Sequence, residues 1–185
     1  MKLRETLLIL PPNDPEAVMI LKIAEALSVP TIISRQQHGA SLDKGTDVVS
    51  LVKKGGYKNV VVIEMPGPKV ETRLRKLCVA LTIIDHHEYT GLDRAHDARG
   101  RLLPSSLEQF LKLFRLTDVK LKALGFDPRL VRGIGIMDRG YVWALKEEGY
   151  SRRDTAMVLK LRNDLMSPYI NARTEKNKQT AAKRA

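Results

Sequence analysis

Asp85-His86-His87 closes the apolar run from Cys78 to Ile84 and puts a carboxylate and two imidazoles into one loop. A strand that delivers such a set to the edge of an α/β sheet offers the ligand types of a metal centre where these sheets place their active sites. Further acids stand in comparable places. Asp14 and Glu16 follow the run Thr6 to Leu10, Glu64 closes the valine-rich run from Asn59, and Asp138 follows the apolar, glycine-broken run Leu130 to Met137. Elements that share one sheet edge would bring these five carboxylates and two imidazoles together. Close, unpaired carboxylates cannot all ionise, so cations between them are the chemical resolution. Oxygen ligands mixed with imidazole suit Mn²⁺, Mg²⁺ or Fe²⁺, and a chain whose one cysteine is Cys78 has no thiolate set for a structural zinc. Plainer uses stay open for the same residues: Asp14 and Glu16 also suit the first turn of a helix, where a carboxylate caps N–H groups and complements the dipole.

The elements that would position these groups alternate in type. Thr6 to Leu10 reads as a strand stopped by Pro11-Pro12, after which Asn13 or Asp14 caps a helix with Pro15 in its first turn. Val18, Ile20, Leu21, Ile23, Ala24 and Leu27 supply that helix's buried face. Pro30 to Ser34 is a second strand, Asp47 to Lys54 a helix ended by Gly55-Gly56, and Asn59 to Glu64 a third strand. Lys69 to Leu77 is helical, and Cys78 to Ile84 is the fourth strand. Strands separated by helical patterns predict an α/β fold with a parallel sheet flanked by helices and right-handed crossovers. His87 to Pro104 is a long polar loop. Ser105-Ser106-Leu107-Glu108 has the spacing of a capping box for a helix through Leu116. From Tyr141 the chain is helical, including Ser151 to about Met166, and Asn171 to Ala185 reads as a solvated helix or frayed tail. Residues 1–145 thus form the α/β domain and 146–185 a mostly helical C-terminal extension.

Composition bounds the partners. The chain has 185 residues, enough for one domain, and a formal net charge of +11. That charge favours phosphates, nucleotides or RNA. Aromatics make up only 5% of the chain, which argues against a broad base-stacking platform and for short or compact phosphorylated ligands. The opening residues hold too short an apolar run for a signal peptide and no segment approaches a membrane span, so a cytoplasmic protein without membrane contact is expected. His38 and His96 read as surface residues. Asp93, His96 and Asp97 read as a solvated loop before an accessory site, and Lys69, Arg73, Arg75 and Lys76 as a charged outer helix face before a nucleic-acid path.

This constellation resembles the DHH phosphoesterase superfamily, which includes manganese-dependent pyrophosphatases, exonucleases and cyclic-dinucleotide phosphodiesterases. The resemblance covers roughly residues 5 to 145. It is carried by the DHH triplet after a buried strand and by Gly133-Ile134-Gly135-Ile136-Met137-Asp138, similar to the family's later Gly-Ile and aspartate motif. The intervals are similar as well: Glu64 lies 21 residues before Asp85, and Asp138 lies 53 after it. The resemblance implies a metal set of Asp14, Glu16, Glu64, Asp85, His86 and Asp138, a catalytic role for Asp85, His86 and His87, and Mn²⁺, or Mg²⁺, as cofactor. It implies that His87 faces a substrate phosphate. Arg139, beside Asp138, is the candidate phosphate contact. Ser105 falls in a segment similar to one near the substrate, with the helix cap as its simpler role.

The departures are specific. The position of the family's first histidine ligand is Leu10, which binds no metal. Glu16 and Glu64 stand for aspartates, each moving its carboxylate by about 1 to 1.5 Å, a misplacement on the scale that costs about 100-fold in rate. The family's smaller second domain has no counterpart here, so residues 146–185 would be an extension or a linker towards it. Two functions are therefore expected. One is a metal-dependent phosphoesterase that uses a metal-activated water on a phosphodiester or phosphate bond of a short nucleotide-type substrate. The alternative is a catalytically degenerate relative that binds nucleotide, RNA or a protein partner without hydrolysis. RNA on the basic surface and a homodimer through the helical tail are further expectations.

Overall fold

A computed structural model describes residues 2–34, 41–44, 47–89 and 92–182, and the side chains of 89 and 170–182 are outside what is described. His38 lies outside it too. Strands β1 (Thr6–Leu10), β2 (Thr31–Ile33), β3 (Asn59–Ile63) and β4 (Ala80–Ile84) form one parallel sheet in the order β2-β1-β3-β4. The expected α/β architecture, a parallel sheet flanked by helices with a helical C-terminal part, is what is found.

All five residues of β1 are buried, as befits a central strand with both faces covered. Alternation then divides its side chains between two cores. Leu8 and Leu10 join Val61, Ile63 and Ile84 on one face, against α1 (Pro15–Ala26), α4 (Ser106–Leu113), α6 (Pro128–Glu147) and the start of α7 (Arg152–Ala182). Leu7 and Ile9 join Val60 and Val62 on the other, against α2 (Val48–Gly55) and α3 (Pro68–Arg75). A short antiparallel pair, β5 (Glu88–Tyr89) with β6 (Leu92–Asp93), sits in the long loop after β4, and α5 (Asp118–Ala123) links α4 to α6.

Local chemistry sets the boundaries. Asp14 is the N-cap of α1, its carboxylate accepting from Ala17 N–H with Pro15 in the first turn. Asp47 caps α2, and Gly56 ends it with a left-handed φ of 62°. Ser105 and Glu108 complete both bonds of the capping box of α4. That helix ends at Leu113, sooner than the expected Leu116, and Arg115 turns the chain at φ 53°. The run Leu130 to Met137 is helical and continuous with Asp138, so Asp138 reaches the sheet edge from a helix. The helix breaks directly afterwards, at Gly140 and Tyr141.

Candidate metal centre

The C-terminal ends of β1, β3 and β4 lie side by side and each leads into an ionisable group. Beyond β1 the chain turns through Asn13 and enters α1 with Asp14 and Glu16. Glu64 follows β3 directly, its N–H donating to Ile84 O on the neighbouring strand. It has a left-handed φ of 49° and is only 3% exposed. A buried glutamate in that conformation is strained, at a cost of about 1–3 kcal/mol, and such strain gathers at functional sites.

His86 is the hub. Its Nε2 lies 2.9 Å from Asp138 Oδ2, 3.4 Å from Glu16 Oε2 and 3.5 Å from Glu64 Oε1. These are close contacts without hydrogen-bond alignment: Nε2, Glu16 Oε2 and Glu64 Oε1 are buried with no hydrogen-bond partner among the described residues. One ring nitrogen carries at most one proton and cannot satisfy three carboxylates. Burial works against the imidazolium, but Asp138, Glu16 and Glu64 overcome it and push the His86 pKa up to about 12. Burial, with the charges of Glu64 and Asp138, raises Glu16 to about 7 against the opposing pull of His86. Burial and then Glu64 hold the Asp14 carboxyl well above the ordinary carboxylate range. Three carboxylates thus face one imidazole nitrogen at this point.

Ligand atoms of Glu16, His86 and Asp138 lie within 4.8 Å of one another, and so do those of Glu64, His86 and His87. The donor set fits a hard or borderline divalent ion, with carboxylate oxygens, imidazole nitrogen and no thiolate. A neutral imidazole nitrogen has one lone pair, so His86 Nε2 serves a single ion. A second ion would rest on the other side chains without His86. Leu10 is fully buried in the core at the end of β1, so that strand supplies no imidazole.

Asp85 is placed differently from the other acids. Its Oδ1 accepts from the backbone N–H of His86 at 2.8 Å and of His87 at 3.1 Å, and meets His87 Nδ1 at 2.9 Å. One oxygen therefore folds the triplet back on itself and, in the neutral ring, favours the proton on Nδ1 and the lone pair on Nε2, the carboxylate–imidazole arrangement that orients metal-binding histidines. The other oxygen, Oδ2, is buried without a hydrogen-bond partner among the described residues.

The first turn of α4 closes the site from the side. Glu16 Oε1 accepts from Leu107 N–H at 2.8 Å, so this carboxylate reaches His86 with one oxygen and α4 with the other. Gln109 Nε2 donates to Asp85 O at 2.9 Å and to Pro104 O at 2.8 Å, tying the DHH loop to the same helix. Ser105 is fully buried and its hydroxyl accepts from Glu108 N–H, the cap role. Arg139 is engaged by Glu108 at 2.9 Å and faces Glu148 at 3.7 Å. In the long loop His96 pairs with Asp93 and Asp97 with Arg101, while Arg94 holds the loop to α3 by donating from Nη2 to both oxygens of buried Glu71.

Sequence reasoning overlooked Gln109 and the Leu107 N–H. The only available signal was their place in the first turn after a capping box. It also treated Asn13 only as a cap, whereas both polar atoms of its side chain are buried at this edge without a hydrogen-bond partner among the described residues. Comparisons with protein-family models, with curated proteins and with solved structures return no match.

Proposed function

We propose that the chain is a metal-dependent phosphoesterase that cleaves a phosphodiester or phosphate bond in a short nucleotide-type substrate, with Mn²⁺ or Mg²⁺ as the ion. The observation that carries this reading is the convergence of Glu16, Glu64 and Asp138, from three separate elements, on the single Nε2 of His86. Buried carboxylates without hydrogen-bond partners are costly, and a site that keeps them aimed at one point is suited to a cation. A divalent ion held there would polarise a phosphoryl oxygen and make water a nucleophile at neutral pH.

The chain's own residues supply the rest. Glu16, Glu64, His86, His87 and Asp138 would hold the ion. Asp85 would orient His87 as a member of that set, the His87 side chain being 30% exposed. Arg139 is held by Glu108, and an anionic substrate would have to compete with that carboxylate for its guanidinium. The net charge of +11 favours approach of a polyanion. Among the described residues no helix is long and apolar enough to cross a membrane.

A second reading, nucleotide or partner binding without hydrolysis, is favoured by Leu10, because a two-ion centre lacks that imidazole. The experiment that separates the two starts with calorimetric Mn²⁺ titration of the metal-stripped chain and of its His86→Ala and Asp138→Asn variants. Hydrolysis of bis-p-nitrophenyl phosphate and of a diadenylate is then assayed. Tight binding lost in both variants, with metal-dependent turnover, is the expected result. Binding without turnover would select the second reading, and no binding at millimolar Mn²⁺ would refute the first.

A further inference from the structure

We propose that the sheet edge opposite the candidate metal centre is a docking face for double-stranded nucleic acid, held through its phosphates without reading sequence. The inference stands apart from the phosphoesterase reading and starts from topology. In a parallel sheet the strands all begin at one edge, and α2 and α3, which precede β3 and β4, end there. Register fixes the neighbours. Thr6, Asn59 and Ala80 lie side by side, Lys58 N–H donates to Glu5 O, and Ala80 N–H donates to Lys58 O. The segments that enter this edge are residues 2–5, 53–58 and 73–79. They carry eight cations and one acid, Glu5, and so hold +7 of the net +11, and all eight cations are exposed.

Helix electrostatics accounts for part of this charge. Lys53, Lys54, Arg73 and Arg75 stand in the last turns of α2 and α3, where cations complement the dipole. Lys2, Arg4 and Lys58 belong to no α-helix and lead into β1 and β3. Two of them converge on one carboxylate: Lys2 Nζ lies 3.3 Å from Glu5 Oε1 and Lys58 Nζ 3.3 Å from Glu5 Oε2, with the lysine side chains 79% and 70% exposed. A single acid shared by two ammonium groups leaves the edge positive. The acids of the candidate metal centre gather at the other end of the strands, about 17 Å away along a five-residue strand, so a polyanion on the basic edge does not meet them.

The chemistry of the face selects its occupant. Cations alone serve a phosphate backbone, because release of its condensed counterions drives binding. A membrane surface calls for apolar anchors and a protein partner for a buried apolar centre. None of the exposed large apolar side chains lies in these segments. Their one aromatic residue, Tyr57, packs on the second core, so no stacking surface for a single strand accompanies the cations. A duplex presents a charge about every 1.7 Å of its axis, twice the density of one strand, and rewards a compact group of cations most.

The test uses labelled RNA and DNA duplexes of about 20 base pairs and one of the single strands, titrated with the full chain in chelator across a salt series and followed by fluorescence anisotropy. The parent is compared with Lys54→Gln/Lys58→Gln/Lys76→Gln and with a control, Lys112→Gln/Lys122→Gln/Lys146→Gln, which removes the same charge from exposed positions on α4, α5 and α6. The parent should bind both duplexes alike and the single strand more weakly. In the first variant the slope of log K against log salt should become shallower by about 2 to 3, with about 100-fold weaker binding near 0.1 M salt, against a change below about 1 in the control. Its Mn²⁺ titration should match the parent's, and His86→Ala should bind duplex as the parent does. Equal losses in the two triple variants, a tighter complex with the single strand, or a preference above about 10-fold for one duplex would overturn the proposal. So would loss of duplex binding in His86→Ala, which would place the nucleic acid at the metal edge. Binding of phosphatidylserine vesicles in place of duplex, lost in the first variant, would refute the nucleic-acid face and assign it to a membrane surface.

Discussion

Gly135→Ala tests how α6 is seated against the centre. A Cβ built on Gly135 would lie 2.5 Å from Ser105 Oγ, and 3.5 Å from both Glu16 Oε1 and Leu107 Cβ. The latter two are ordinary contacts, so Glu16 is not displaced. The first is a clash with a fully buried hydroxyl that caps α4. Moving that hydroxyl forfeits an N-cap worth about 0.5–2 kcal/mol, and overpacking costs about 1–3 kcal/mol. Helix propensity returns about 1 kcal/mol on replacing glycine by alanine. The net expectation is a loss of about 2 kcal/mol, or roughly 4–8 °C in Tm for a chain of this size. Urea unfolding of the parent, Gly135→Ala, Ser105→Gly and the double variant measures it. Glycine is tolerated at an N-cap for a few tenths of a kcal/mol, so Ser105→Gly alone should be mild and should relieve the clash, giving a coupling of about 1–2 kcal/mol. Mn²⁺ affinity should stay within a few-fold of the parent. A Gly135→Ala chain as stable as the parent, or additive effects in the double variant, would refute this packing.

Asp85→Asn acts through His87 and should weaken Mn²⁺ binding by about 10–100-fold in calorimetry, against complete loss in His86→Ala. Gln109→Ala strips the donor from the Asp85 and Pro104 carbonyls and should cost about 1–3 kcal/mol in urea unfolding, with a rise in exchange at the His86 and His87 amides. The pH dependence of the metal-free chain follows from the raised groups. Glu16 moves from its ordinary 4.5 to about 7 and His86 from 6.5 to about 12, so the folded chain holds both protons more tightly than the unfolded one. Their contribution is complete below the unfolded values and is lost as pH rises through the folded ones. In chelator Tm should therefore fall between about pH 5 and pH 8, and Mn²⁺ should abolish the fall. A Tm that rises across this window in chelator would contradict the proton-held cluster.

What the sequence made legible was local. The run Thr6 to Leu10, ended by Pro11-Pro12, read as β1, Asp47 and Gly56 bracket α2, and Ser105 with Glu108 opens α4, because caps, breakers and alternation act over a few residues. The course of α6 was harder to read. Gly133 and Gly135 look like breakers in one dimension, yet they let the helix approach closely: a Cβ on Gly133 would meet Val158 Cγ2 at 2.5 Å. The β5–β6 pair has two residues per strand, too few for alternation to register. Of the expected metal set, Glu16, Glu64, His86 and Asp138 are brought together, with His87, expected to face substrate, beside Glu64 and His86, while the use of Asp85 to fold its own loop depended on a backbone path the sequence does not encode locally.

The two glutamates bear most directly on how the departures from the DHH pattern should be weighed. In sequence each looks like a misplaced aspartate. Glu16, however, spans two partners, with Oε1 on Leu107 N–H at 2.8 Å and Oε2 toward His86 at 3.4 Å. An aspartate on the same backbone would be about 1.5 Å short and would have to give up one of them. Glu64 starts one residue beyond β3 in a left-handed turn, and its longer side chain brings Oε1 to 3.5 Å from His86 from that bent backbone. The extra methylenes therefore suit where the backbone runs. Leu10 has no such compensation in its own strand. One histidine, His86, therefore faces the three carboxylates Glu16, Glu64 and Asp138 alone.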